Sequence, residues 1–270
     1  MFKLLIICLI LFISPQLTAA DSTVKTQTLH FCKGNSDYPP YNYFQNNPNH
    51  AQQNMGYDID LLKMTFEGTP YNFQVHALPW KRCLLEVKKG NIDALMSASS
   101  NEQRRQDFDF SEPYYYLTPA IFYLKSDYPN GLPTRDINEL KGHGSICGIQ
   151  SFNYKNFGVD DDRFIFRIHH IPQLPYLLIK ERCRFFLARQ EILFSTLALN
   201  KITYLSDLIQ GEMLTSVEQE PFYMLISKSS PNRKHIKQLF DAKVTELSAQ
   251  GELHSMIDKH IQTLIHTSNF

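Results

Sequence analysis

Short apolar strands alternate with amphipathic helices along most of this 270-residue chain. Residues 71–78 alternate in hydrophobicity as a strand does, and residues 92–97 form an apolar run typical of a buried strand. Between them, Cys83, Leu84 and Val87 fall on one face of a predicted helix. Strands that alternate with helices indicate a mostly parallel sheet with crossover helices. The sequence therefore predicts an α/β architecture.

The pattern repeats in the second half of the chain and predicts a second lobe. Further strands are expected at residues 145–149, 183–187 and 221–227, and two amphipathic helices close the chain, the first beginning at Pro231. We expect two lobes, each a mostly parallel sheet flanked by helices, joined by two interlobe crossings. Lobe 1 is predicted at residues 21–120 plus 222–270 and lobe 2 at residues 121–221. The first crossing is placed at the apolar strand 120–124 and the polar turn 126–131.

The first twenty residues predict export from the cytoplasm. Lys3 precedes an apolar run over residues 4–13, and small residues lead up to Ala20. This arrangement is typical of a cleaved signal peptide at residues 1–20, and the apolar run is shorter than the roughly 20 residues that a membrane-spanning helix needs. We therefore expect a soluble mature protein in the periplasm.

Four cysteines remain after the predicted cleavage: Cys32, Cys83, Cys147 and Cys183. An even number in an exported chain indicates disulfides, and no pair has the close spacing of zinc ligands. Three pairings are open. The pairing of Cys32 with Cys83 and of Cys147 with Cys183 is preferred because it keeps each bridge inside one predicted lobe.

Charge and motifs narrow the classes of function. The formal net charge is zero, so the chain has no overall field that attracts nucleic acid or anionic membrane. No nucleophile motif, glycine-rich phosphate loop or zinc-protease signature occurs. No cofactor or metal is expected, and the histidines, including His169 and His170, are interpreted as solvated or packed.

Five short motifs in a fixed order resemble the periplasmic solute-binding proteins of amino-acid ABC transporters, the family 3 extracellular solute-binding proteins. They are Tyr-Pro-Pro-Tyr at 38–41, Gly-Tyr-Asp-Ile-Asp-Leu at 56–61, Gly-Asn-Ile-Asp-Ala at 90–94, Glu-Gln-Arg at 102–104 and Phe-Ser-Glu-Pro-Tyr-Tyr at 110–115. The resemblance implies a type II periplasmic-binding-protein fold with the ligand between the lobes. It also implies a monomer whose partner is the membrane part of an ABC transporter.

The resemblance implies a carboxylate site on lobe 1. Arg104 matches the arginine that binds the ligand's carboxylate, with Ser97 and Ser99 beside it, and Tyr38 matches the aromatic residue that stacks over the ligand. The planar guanidinium fork meets both oxygens of a carboxylate. The alternative is that Arg104 is a solvated arginine on a surface turn. Trp80 is expected at the cleft edge, with core packing as its alternative.

Lobe 2 departs from the family pattern. Residues 150–154 (Gln-Ser-Phe-Asn-Tyr) replace a small Gly-Thr-Thr run, which leaves Asn153 as a candidate contact. Arg189 aligns with the aspartate that would pair with an amino acid's ammonium. If Arg189 faces the cleft, an ammonium is repelled, and a dicarboxylate or another anion suits Arg104 and Arg189 together. Alternatively, Arg189 points to solvent or pairs with Glu191 or Glu181.

We therefore expect a non-enzymatic protein that closes around a small carboxylate-bearing solute, an amino acid or related organic acid, and delivers it to a transporter. Two alternatives stay open. One is a dehydratase or lyase on the same fold, for which Glu220 and Glu112 are the candidate acids or bases. The other is a ligand-sensing module. Asp58, like Asp60 and Asp93, is interpreted as a helix-start or turn residue.

Overall fold

The computed structural model describes residues 26–46, 52–214 and 218–268; the predicted signal peptide lies outside them. The strands are β1 (Gln27–Gly34), β2 (Tyr43–Asn46), β3 (Gln52–Met55), β4 (Tyr71–Leu78), β5 (Ala94–Ser99), β6 (Phe108–Phe110), β7 (Tyr115–Leu117), β8 (Pro119–Leu124), β9 (Ile146–Ile149), β10 (Ile165–Ile168), β11 (Phe185–Arg189), β12 (Ile209–Met213) and β13 (Glu220–Ser227). The helices are α1 (Tyr57–Phe66), α2 (Trp80–Lys89), α3 (Glu102–Asp107), α4 (Ile137–Leu140), α5 (Leu174–Ile179), α6 (Gln190–Leu199), α7 (Arg233–Ala249) and α8 (Glu252–Ser268).

Two sheets form the centres of two lobes, as the sequence predicts. The first sheet has the strand order β4-β1-β5-β13-β6, with β7 also paired to β13. The second has the order β10-β9-β11-β8-β12, and β2 and β3 form a separate hairpin. We call the first sheet with its helices the first lobe and the second sheet with its helices the second lobe.

The sheets are mixed, which corrects the expectation of mostly parallel sheets. In the first sheet β1 is parallel to β4 and β5, whereas β13 is antiparallel to β5, β6 and β7. In the second sheet β9 is parallel to β10 and β11, whereas β8 is antiparallel to β11 and β12. Strands β8 and β13 enter their sheets from the other lobe and not through a crossover helix, so the connection does not impose a parallel direction on them.

The chain passes from the first sheet to the second between β7 and β8 and returns between β12 and β13. The whole of β8 pairs inside the second sheet, so the polar turn at 126–131 lies within the second lobe and not at the crossing. The predicted lobe boundaries, 21–120 plus 222–270 and 121–221, stay a prediction.

The helices near the cleft follow the sequence pattern closely. Gly90 ends α2 in the left-handed conformation that glycine adopts without strain. Helix α7, however, begins at Arg233 and not at Pro231. The Ser230 hydroxyl accepts the Asn232 N–H and donates to Asp93, so a side-chain-bonded turn precedes the helix.

Among the described helices, none combines the length and the apolar character needed to cross a membrane.

Both preferred disulfides are confirmed, and each lies within one lobe. Cys32 at β1 is bonded to Cys83 on α2, with Cα atoms 5.7 Å apart, and Cys147 on β9 is bonded to Cys183 before β11, with Cα atoms 5.8 Å apart. All four cysteines are almost fully buried. Each bridge therefore fastens a strand to a neighbouring element of the same core.

Removal of the second-lobe disulfide tests how much this lobe depends on it. The bridge spans 36 positions, so the Cys147→Ser/Cys183→Ser variant is expected to lose about 4 kcal/mol of unfolding free energy through the larger entropy of its unfolded chain. Urea denaturation measures this. Under reducing conditions the wild-type protein should lose more stability than the variant does, and equal losses would contradict the assignment.

Candidate ligand-binding cleft

A cleft of about 650 Å³ lies between the lobes and is lined by residues from both. All seven residues predicted from the sequence line it: Tyr38, Trp80, Ser97, Ser99, Arg104, Asn153 and Arg189. Its volume falls in the range of pockets that hold small organic molecules. The structure divides the seven residues among different roles, some facing the open space and others supporting the walls.

The start of α1 fixes the loop that carries Tyr38. Gly56 has a φ of 118°, and a Cβ atom there would lie 2.3 Å from the carbonyl oxygen of Tyr41. The close approach lets the N–H groups of Tyr57 and Asp58 donate to the carbonyls of Pro40 and Tyr41. A larger residue than glycine at 56 cannot make this turn without displacing the loop.

Asp58 is the buried centre of this wall, and its interpretation as a simple helix-start residue is incomplete. Its carboxylate accepts hydrogen bonds from Asn42 Nδ2 at 2.7 Å, Ser97 Oγ at 2.6 Å and the Tyr114 hydroxyl at 3.0 Å. Burial raises the pKa of Asp58 to about 6, although the three donors and the nearby Lys33 ammonium act in the opposite direction.

Ser97 supports the cleft more than it offers itself to a ligand. Its hydroxyl donates to Asp58 and its N–H donates to the Tyr114 hydroxyl at 2.8 Å. Its φ is 60°, a left-handed conformation that is strained for serine. The network around Asp58 therefore holds Ser97 in a conformation that the isolated backbone disfavours.

Arg104 faces the cleft from the first turn of α3. Asn101 caps this helix by accepting the Arg104 N–H at 2.8 Å. The guanidinium Nη1 donates to the Ser99 carbonyl at 2.8 Å and the Ser99 hydroxyl at 3.0 Å, and the guanidinium carbon lies 5.5 Å from the centre of the Trp80 ring. Burial, with a smaller contribution from Arg189, lowers the pKa of Arg104 to about 10. Across the described residues, no carboxylate lies within ion-pair distance of this guanidinium.

Arg189 also reaches the cleft, but it already has a partner. Its Nε donates to Glu220 Oε2 at 2.6 Å, and both side chains are about 3% exposed or less. The alternatives of a solvated Arg189 or a pair with Glu191 or Glu181 are therefore wrong. Glu191 instead accepts from the hydroxyl and the N–H of Thr118.

Aromatic rings enclose the Arg189 guanidinium. Its central carbon lies 4.9 Å from the Phe152 ring, 5.2 Å from Phe157 and 5.0 Å from Phe222. Phe152 also meets Tyr38 across the cleft with ring centres 6.2 Å apart. The bulky run at residues 150–154 thus encloses an arginine of the chain itself.

Asn153 and Asn156 join the two lobes. Both side-chain amides donate to the Ser100 carbonyl, at 3.1 Å and 3.2 Å, and Asn156 Nδ2 also donates to Glu220 Oε1 at 2.5 Å. The amide nitrogen of Asn153, a predicted ligand contact, is thus used in a contact between the lobes.

Sequence reasoning missed several residues at the cleft. Asn42, Thr196 and Phe222 line it, and Asn156 donates to the Ser100 carbonyl across the lobes, yet none belongs to a recognisable motif. His169 and His170 are exposed at its rim, which agrees with their interpretation as solvated. No cluster of three or more metal-ligating side chains occurs in the part of the chain that the structure describes.

A two-lobed α/β fold with a ligand-sized cleft between its lobes defines the class of solute-binding proteins. The chain belongs to the bacterial extracellular solute-binding proteins, family 3, whose sequence profile matches residues 32–263.

Known relatives agree with this class. A probable histidine-binding protein of Neisseria gonorrhoeae is 25% identical over 132 residues, a match that spans 47% of this chain and 46% of that protein, about half of each. An amino-acid ABC transporter substrate-binding protein of Streptococcus pneumoniae, solved with L-arginine, superposes with a TM-score of 0.69 at 18% identity, over 88% of this chain and 96% of that one. A histidine kinase sensor domain similar to periplasmic binding proteins gives a TM-score of 0.68 at 17% identity, over 87% and 96%. At these identities the solved structures show the fold alone.

The raised pKa of Asp58 predicts how stability changes with pH. The native carboxyl takes up its proton near pH 6, whereas the unfolded chain does so near 3.8. Between these values the native state binds more protons, so the contribution of Asp58 to stability is full below about pH 4 and is lost as the pH rises through about 6. Asp58→Asn is expected to abolish this dependence in urea unfolding between about pH 4 and pH 7.

Asp60→Asn is the control on the same helix. A hydrogen bond from His260 lowers the pKa of Asp60 to about 2, so this carboxylate stays ionised throughout the tested window. The Asp60 variant should keep the wild-type change between about pH 4 and 6. If Asp58→Asn also keeps it, the buried carboxylate is not its source.

Proposed function

We propose that this protein captures a small carboxylate-bearing solute in the periplasm by closing its two lobes around it, and delivers it to an ABC transporter. The observation that carries the proposal is Arg104: a buried guanidinium, 9% exposed, that lines the cleft with no carboxylate partner among the described side chains. Cations in protein interiors are normally paired. A ligand carboxylate supplies the missing partner.

The environment of Arg104 favours an anion. Burial and Arg189 both make the charged guanidinium less stable, as its lowered pKa records. A carboxylate bound beside it reverses this effect and gains charge-assisted hydrogen bonds in a site with little water. Asp37 is the only acidic side chain among the described residues that line the cleft.

Each predicted site residue has a role in this proposal. Arg104 and the Ser99 hydroxyl bind the carboxylate, Ser97 holds their strand in place, and Tyr38 and Trp80 form the aromatic walls. Asn153 docks the second lobe onto the Ser100 carbonyl, and Arg189 stays paired with Glu220 beside the ligand. Closure then buries the new ion pair and strengthens it. A micromolar affinity, about −8 kcal/mol, needs only a few such contacts.

The relatives support an amino acid or a related acid as the ligand. One is named a histidine-binding protein and another was solved with L-arginine. The histidine kinase sensor domain of similar fold supports a second candidate function, in which ligand binding in the same cleft is passed to a signalling partner. Catalysis is disfavoured because both oxygens of Glu220 are engaged by Arg189 and Asn156, and Glu112 does not line the cleft.

The test is titration calorimetry of residues 21–270 against amino acids, hydroxy acids and other small carboxylates. Arg104→Ala is expected to weaken binding by about 10- to 150-fold, the value of one hydrogen bond to a charged group. Arg105→Ala is the matched control, because Arg105 is exposed and packs against Phe110 outside the cleft lining. Equal effects of the two substitutions, or turnover of a bound acid, would contradict the proposal.

A further inference from the structure

The surroundings of Arg189 have the chemistry of a cation-binding subsite. A buried carboxylate, Glu220, lies at one side, and the rings of Phe152, Phe157 and Phe222 surround the charge at 4.9–5.2 Å. Aromatic faces and a desolvated carboxylate are the groups that bind a guanidinium or an ammonium. Here the cation is supplied by the chain itself.

This subsite belongs to the cleft and spans both lobes. Arg189, Phe152 and Phe157 come from the second lobe, whereas Glu220 and Phe222 lie on β13 of the first sheet, at the return crossing. Asn156 of the second lobe holds the other oxygen of Glu220. The guanidinium therefore joins the two lobes as the cationic group of a bound ligand would.

The pairing decides which charges remain for a ligand. Arg189 and Glu220 neutralise one another, so a second carboxylate of a ligand finds no unpaired arginine at this end of the cleft. A ligand cation is also disfavoured at this end of the cleft, because the carboxylate and the aromatic faces that would receive it are already occupied. Arg104 is left as the arginine of the cleft lining without a carboxylate partner in the described chain.

We infer that Arg189 acts as a built-in cation that fills a cation-binding subsite of the cleft, so that the solute binds through one carboxylate and brings no ammonium or guanidinium group to this subsite. This inference rests on the proposed function for its ligand class. The occupied subsite itself can be tested without any carboxylate ligand.

The experiment removes the built-in cation and replaces it from solution. Arg189→Ala leaves Glu220 buried and unpaired, which is expected to lower the melting temperature by roughly 10 °C. Methylguanidinium chloride should raise the melting temperature of this variant by several degrees, because it binds the folded subsite and not the unfolded chain. Sodium chloride at equal concentration controls for ionic strength.

Two variants make the readout specific. Arg184→Ala removes an arginine that also pairs with a carboxylate, Asp127, and also lies over a ring, Tyr128 at 5.1 Å, but outside the cleft lining. It should gain nothing from methylguanidinium, and Arg189→Ala/Glu220→Gln should gain little. Equal gains in all variants, or no gain in Arg189→Ala, would overturn the inference.

One further measurement applies if Arg189→Ala does not fold, and another separates this inference from the proposed function. If Arg189→Ala is insoluble, its yield on refolding with methylguanidinium replaces the melting temperature, and an unchanged yield counts against the inference. In the wild-type protein, stabilisation by agmatine, which has no carboxylate for Arg104, would also overturn it, since the subsite would then be open to a cation. Stabilisation of Arg189→Ala by methylguanidinium does not involve Arg104, so it can still be measured if the protein binds no carboxylate.

Discussion

The Asp58 carboxylate is the point on which the first-lobe wall of the cleft depends. It binds the loop of Asn42, the end of β5 at Ser97 and the segment of Tyr114, which are far apart in the chain. Hydrogen bonds to a charged group contribute about 1.5–3 kcal/mol each, yet the raised pKa indicates that burial outweighs them for the charged form. Burial of the charged carboxylate costs stability near neutral pH, and the hydrogen-bond network holds Ser97 in its strained backbone conformation beside the ligand space.

The two cleft arginines differ in what the fold gives them. Arg189 has a carboxylate and three aromatic rings, so its charge is compensated before any ligand arrives. Among the described residues, Arg104 contacts the carbonyl and hydroxyl of Ser99, which are neutral acceptors, and the Trp80 ring. A buried charge with neutral partners gains most from an incoming anion. In the proposed function, the binding energy therefore comes mainly from Arg104, and Arg189 contributes to the shape and charge of the site.

The polar contacts between the lobes in the described chain lie close to the cleft. The amides of Asn153 and Asn156 meet the Ser100 carbonyl, and Asn156 with Arg189 holds Glu220 near the return crossing. Polar contacts of this kind exchange for water with small net cost when lobes separate. In the proposed function, these polar contacts form when the lobes close, with the two chain crossings as the hinge.

Local patterns in the sequence determined the elements and the first half of the site. Alternating hydrophobicity placed β4 at its observed bounds, helical spacing placed α2, and an ordered set of motifs brought Arg104, Ser99 and Tyr38 to one cleft. The strands and helices could be predicted because each depends on residues that are close together in the sequence, and the spacing of those residues can be read from it directly.

Only the tertiary structure decided strand direction and charge pairing. Strands β8 and β13 are antiparallel to their neighbours because of how the chain connects the two lobes. Asp58 is buried and accepts hydrogen bonds because Ser97 and Tyr114, which are distant in the sequence, pack against it. Glu220 lies 31 positions from Arg189, farther than two other glutamates that the sequence offered as partners. An ion pair needs two charges at contact distance in space, and distance along the chain does not determine that.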